Sequence, residues 1–130
     1  MSLLTVGSVA FDAIETPFGK TDKIIGGAGT YIALSSSFFK QKQQIVSVVG
    51  EDFPNEMLEI LRTKGVDLEG LQIKKREKTF FWSGRYHNDM NSRDTLVTEL
   101  NVLEHFDPTI PSNYQGTEYL MLGNLSPQVQ

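Results

Sequence analysis

IVSVVGEDFPNEMLEILRTKGVDLEGL, Ile45 to Leu71, is the stretch that decides how this chain folds. Its first five residues, IVSVV, are β-branched and nearly all apolar, as expected of a strand buried on both faces of a parallel sheet. Gly50-Glu51-Asp52 closes that strand. A helix is predicted over Phe53–Lys64, with Asp52 or Phe53 at the cap, Pro54 in the first turn, Glu56 early and Gly65 placed to stop it. Phe53, Met57, Leu58 and Leu61 make its apolar face. Val66–Ile73 reads as extended again. Strand, helix, strand is the order of an α/β fold.

Working outward, Leu3–Val6 is a short apolar strand closed by Gly7, and Val9–Ile14 continues extended. Thr16–Lys20 is a turn, and Asp22–Ile25 a short strand. IIGGAGTYIA, Ile24–Ala33, then places three glycines in four positions before a helix predicted over Thr30–Phe39. Tyr31, Leu34, Ser35 and Phe38 fall on one side of that helix. Glycine suits places where φ is positive or a backbone comes close to something, so these glycines suggest a turn that meets a ligand.

On the other side, KKREK, Lys74–Lys78, reads as a solvated turn. TFFWSGRY, Thr79–Tyr86, alternates: Phe80, Trp82, Gly84 and Tyr86 share one face, and Thr79, Phe81, Ser83 and Arg85 the other. His87–Asp94 is a polar connection to a second strand, Thr95–Leu100, and the two form an antiparallel pair. Phe106–Gly116, with two prolines, is mostly loop. Glu118–Leu122 is expected to be another buried strand, ended by Gly123-Asn124. The sequence stops at Gln130, where a helix covering that strand is expected next.

Composition narrows the function. The chain has 130 residues and a net charge of −4, enough for one domain with a core and unlike the basic surface of a nucleic-acid binder. It has no cysteine, hence neither disulfides nor thiolate metal sites. His87 and His105 lie 18 positions apart, in no metal-ligand spacing. No apolar run approaches a membrane span, and the N-terminus lacks the basic start and long apolar run of a signal peptide. A cytoplasmic protein without nucleic-acid or membrane partners is expected.

The glycines match none of the common ligand loops. No Lys-Ser or Lys-Thr follows them, as a P-loop requires. Gly27 and Gly29 supply two positions of a dinucleotide fingerprint, but Ile32 occupies the third. GxSxG is absent. The order of elements carries more. GSVAFD, Gly7–Asp12, follows the first strand. Gly26-Gly27-Ala28-Gly29 opens a helix, VVGEDF through KGVD spans Val48–Asp67, and a charged hairpin follows.

Together these resemble the N-terminal part of the ribokinase-like carbohydrate kinases, the PfkB family, over nearly the whole chain. The resemblance implies an α/β fold, a mostly parallel sheet flanked by helices with a small β-sheet lid. Residues 1–130 would form the N-terminal part of one such domain, with lid strands within 9–26 and 79–100. It implies an enzyme that transfers the ATP γ-phosphoryl group to a sugar hydroxyl, with Mg expected beside ATP. A nucleoside kinase of the same fold is the alternative, with Phe81, Trp82 and Tyr86 as rings for base stacking. A short non-catalytic sugar-binding module is another.

By the same resemblance, Asp12 would accept hydrogen bonds from sugar hydroxyls, a role its chemistry suits. Gly26 and Gly27 match the family's glycine pair near the substrate, with Gly29 and Tyr31 beside them. Phe81 or Arg85 would face the sugar from the lid, and Asn124 would contact it from a strand end. Thr30-Tyr31 stand where the family's signature has Asn, a departure consistent with a different substrate. The catalytic base and most of the ATP site belong to the family's C-terminal half, so no catalytic residue is assigned here. The 130-residue segment alone is expected to be inactive, and a lid-mediated homodimer is compatible with the family.

Overall fold

The computed structural model describes residues 1–39 and 41–130. Its main sheet contains β1 (Ser2–Val6), β5 (Lys42–Gly50), β6 (Val66–Lys74) and β9 (Tyr119–Leu122) in the order β6-β5-β1-β9. All three pairings are parallel, as the Ile45–Leu71 reading requires.

Strand β5 is central because its side chains are apolar on both faces. Ile45 and Val49 join Val9, Phe11, Ala33, Phe53, Leu58, Leu61 and Val66 in one core, under helices α1 (Ala28–Ser36) and α2 (Asn55–Thr63). Val46 and Val48 join Leu4, Val6, Val102, Phe106 and Tyr114 in the other. That second face is covered by short 3-10 turns at Asn101–His105 and Ser112–Tyr114 within what reads from sequence as connection and loop. The fully buried Tyr114 ring organises it. Its hydroxyl donates to Asp67 Oδ1 (2.8 Å) and accepts from the Gly70 N–H (3.2 Å). Burial, with Asp67 beside it, pushes the phenol well above its ordinary value.

A second sheet contains β2 (Ala10–Thr16), β3 (Gly19–Lys20), β4 (Ile24–Gly26), β7 (Phe81–Tyr86) and β8 (Arg93–Glu99). Its order is β3-β2-β7-β8, with β4 also on β2. β7 runs parallel to β2 and antiparallel to β8. The chain passes between the sheets four times: at Gly7–Val9, from β4 through α1 to β5, at Lys75–Phe80, and between β8 and β9. Thr79 ties down the crossing at Lys75–Phe80. Asp52 Oδ1 accepts from its N–H (2.8 Å) and its hydroxyl (2.7 Å), and the same hydroxyl accepts from the Gly50 N–H (3.0 Å). Asp52 therefore serves this crossing and does not cap α2, whose N-cap is Pro54.

Two further expectations are corrected. Helix α1 starts at the glycines, two residues early, and buries Gly29, Thr30 and Ala33, while Tyr31 and Phe38 are exposed. The smallest side chains permit the closest approach to the sheet, and that outweighs the apolar pattern. The helix then gives way to a 3-10 turn at Ser37–Phe39. The hydroxyls of Ser35, Ser36 and Ser37 bond back to the carbonyls of Tyr31, Ile32 and Leu34, a habit that loosens a helix end. Strand β9 is not buried: all four of its residues are exposed, because only β1 pairs with it.

Candidate functional site

A cleft opens where the two sheets meet, at the carboxyl ends of β1 and β9. Gly7 ends β1, and a Cβ there would sit 2.9 Å from the Gly29 backbone, in the first turn of α1. The Gly123 N–H donates to the Val6 carbonyl at 2.7 Å. These backbone approaches bring Ser8, the start of α1 and Asn124 to one rim. Ligands of parallel α/β sheets gather at such strand ends.

The glycine run has three separate tasks. Gly27 is the residue before α1, with φ 93°, in a region that L side chains rarely adopt, and a side chain there would strike the Ser8 carbonyl. Gly26 is buried, and a Cβ on it would occupy the place of the Asp12 carboxyl group. Gly29 packs α1 against Gly7 and points away from the cleft. The amides of the helix start are already engaged. Ala28 N–H donates to Ser8 Oγ (3.0 Å), and Gly29 N–H to the Ser8 carbonyl (2.9 Å). This turn is therefore not a phosphate cradle. It positions Ser8 and leaves room for Asp12.

Asp12 is half-buried on β2. Burial pushes its carboxyl above the ordinary value, partly offset by a backbone hydrogen bond from Gly27. It pairs in register with Trp82 on the neighbouring parallel strand, so the two side chains share a face of the second sheet. The indole lies across Gly84, where any Cβ would collide with the ring. Its Nε1–H donates to Thr95 Oγ1 (3.3 Å), and the Arg93 guanidinium carbon stands 5.9 Å from its centroid. Phe80 and Tyr86 extend the aromatic wall. The cleft, of about 410 Å³, is also lined by Tyr31 and Leu103. That is within the roughly 300–1,000 Å³ of small-molecule sites.

Of the residues expected from sequence, Asp12, Gly27, Tyr31 and Asn124 come together here, with Gly26 directly behind Asp12. Phe81 and Arg85 do not. The pleat turns them to the opposite face, where Phe81 packs on the core under Lys23 (Nζ 4.6 Å from its centroid). Arg85 pairs with Glu15 at 3.0 Å. Ser8, Phe80 and Arg93 were missed. The alternation of TFFWSGRY already sets Phe80 beside Trp82 and Tyr86, so Phe80 was legible once one face was chosen.

The cleft does not fit a nucleoside triphosphate with its metal ion. Asp12 is the one carboxylate that lines it among the described residues, the helix start is engaged with Ser8, and no cluster of three or more metal-ligating side chains occurs among the described residues. Nor is any helix of the described residues long and apolar enough to cross a membrane.

Fold and cleft define an α/β protein with an open cleft, lined by one carboxylate and an aromatic wall, between a four-stranded parallel sheet and a second, five-stranded sheet. The comparisons with known proteins agree. No family model matches the chain. A cytidine kinase of Thermococcus kodakarensis is 30% identical over 131 aligned residues, covering 100% of this chain and 46% of that protein. A nucleoside kinase of Methanothermobacter thermautotrophicus is 34% identical over 104 residues, covering 68% and 34%. The structure of Methanocaldococcus jannaschii nucleoside kinase, an archaeal member of the ribokinase family, superposes with TM-score 0.78 at 20% identity, over 98% of this chain and 46% of that one. The chain belongs to the ribokinase-like (PfkB) kinases. It spans less than half the length of the relatives it matches.

Proposed function

We propose that this chain is the acceptor-binding part of a nucleoside kinase, in which the γ-phosphoryl group of ATP passes to a hydroxyl of the nucleoside. One observation carries the reading. A half-buried carboxylate, Asp12, and an aromatic platform centred on Trp82 lie side by side on one face of the second sheet. The carboxylate suits the paired hydroxyls of a ribose, and the indole suits the flat face of a base. Relatives named as cytidine and nucleoside kinases support the same choice.

In this reading Asp12 accepts hydrogen bonds from two ribose hydroxyls and fixes the sugar. Asn124 and Ser8 flank it at the strand ends, and Tyr31 closes one side. The second sheet acts as the lid, pivoting on the segments that join it to the first and excluding water as it closes. The ATP site, the Mg ion and the catalytic base are assigned to parts of the kinase that this chain does not hold. The chain therefore binds and orients the acceptor and performs no transfer by itself.

A plain sugar kinase is the second reading, favoured by the carboxylate in the cleft lining, which would serve a sugar's hydroxyls whether or not a base is attached. Calorimetric titration of the chain with cytidine, adenosine and ribose separates the two. Base stacking is worth about 1–3 kcal/mol, so nucleosides are expected to bind at least about fivefold more tightly than ribose. Equal affinities would favour the sugar. ATP-dependent phosphorylation by a mass-verified 130-residue chain would overturn the assignment of the donor site elsewhere.

A further inference from the structure

Arg93 reaches the cleft only because β8 is irregular. Trp82 stands opposite Thr98 and Ser83 opposite Val97, but Gly84 stands opposite Thr95 and Tyr86 opposite Arg93. Leu96 is the extra residue. Without it, continuous pairing would set Leu96 opposite Gly84 and Asp94 opposite Tyr86. The bulge therefore exchanges an apolar and an acidic side chain for Thr95 and Arg93 on the face that carries Trp82. Bulges commonly re-aim side chains beside functional sites.

Both re-aimed residues touch the platform: Thr95 Oγ1 accepts from the indole N–H, and Arg93 stands over the ring. Arg93 is also unlike Arg62 and Arg85, which pair with Glu59 and Glu15. Among the described residues no hydrogen bond or ion pair engages its guanidinium, although it lines the cleft. It is placed over the ring on which a base would stack, at the opposite end of the platform's chemistry from the carboxylate.

We propose that Arg93 is a specificity-determining residue that selects nucleosides whose base carries an exocyclic carbonyl oxygen. The guanidinium is a planar fork of donors with no acceptor. A base that stacks on Trp82 displaces the unpaired guanidinium from over the ring to the base's edge, where it donates to the carbonyl oxygen and to an adjacent ring nitrogen that lacks a proton. Cytosine offers that pair, an oxygen beside an unprotonated nitrogen. Adenine offers an amino group, which is itself a donor and gives the fork nothing at the exocyclic position. The inference rests on the nucleoside reading of the cleft.

The test is a calorimetric titration of the chain and its Arg93→Gln and Arg93→Lys variants with cytidine, adenosine and ribose, with melting curves to establish folding. Arg93 is exposed, so the variants are expected to melt as the parent does. Losing hydrogen bonds from a charged donor corresponds to a change on the order of tenfold or more. Arg93→Gln is expected to weaken cytidine by that factor and adenosine by less than about twofold, with Arg93→Lys in between because it keeps charge without the fork. Equal losses for cytidine and adenosine, or none for either, would overturn the role of Arg93 while leaving the nucleoside reading intact. A parent chain that binds ribose but gains nothing from either base would overturn both.

Discussion

Replacing Thr79 with valine tests whether the crossing between the sheets is held as described. Valine keeps the shape of the side chain and removes only the hydroxyl. That hydroxyl accepts from the buried Gly50 N–H at 3.0 Å and donates to Asp52 Oδ1 at 2.7 Å. Leaving the Gly50 donor without a partner costs about 1–3 kcal/mol. The lost bond to Asp52 adds less, about 0.5–1 kcal/mol, because Asp52 is at the surface, where water replaces it, and keeps the Thr79 N–H. The expected loss is about 2–4 kcal/mol, a large part of the roughly 5–15 kcal/mol that holds a typical domain. Thr79→Ser is the control. It keeps both bonds and removes one methyl, at about 1 kcal/mol. Urea unfolding followed by far-ultraviolet circular dichroism gives both values. Trp82, the only tryptophan of the chain, reports the second sheet independently by fluorescence. If valine destabilises no more than serine, the hydroxyl does not hold the crossing and the reasoning fails.

Asp12→Asn should separate stability from binding. The carboxyl's folded value is raised by burial, so the folded state holds its proton more tightly than the unfolded state. Above the unfolded value, near 3.8, ionisation therefore works against folding, and this contribution makes stability fall as pH rises toward the folded value. The amide variant should be at least as stable as the parent at pH 7 in urea titrations, and its advantage should vanish near pH 3. It should also bind nucleoside at least about tenfold more weakly, because a charged acceptor is lost. Gly26→Ala should act on the same carboxyl from behind, since the new methyl occupies its place. We expect weaker nucleoside binding by calorimetry, on the order of tenfold for one displaced charged hydrogen bond. Unchanged affinity would show that Asp12 does not need its present position.

The parallel sheet was legible because its evidence is local. Ile45–Val49 is nearly all apolar, as a strand covered on both faces requires, and α2 has Pro54 before it and Gly65 after it. The glycines were legible as a close approach because few other residue types tolerate that geometry, whereas Asp12 came from the resemblance, and its place beside Gly26 was not read. The differences between expectation and structure concern choices between faces. Phe81 and Arg85 lie on the face away from the cleft; both faces of TFFWSGRY carry aromatic residues, and alternation alone does not say which face the cleft will take. Arg93 was invisible for a different reason. Its facing depends on the extra residue Leu96, and a bulge changes no composition or period that a sequence displays. Tyr114 was hidden in a stretch with two prolines, where its burial depends on the backbone of β6, more than forty residues earlier.

The most direct test of the proposal that the cleft binds a nucleoside is a titration of Trp82 fluorescence with cytidine, in the parent chain and in Asp12→Asn. The reporter is the platform itself, and the variant removes its neighbour on β2. A saturable change in the parent that requires at least about tenfold more cytidine in the variant, as loss of a charged hydrogen bond implies, is the predicted result. A signal that does not respond to cytidine, or one that saturates equally in both proteins, would contradict the account.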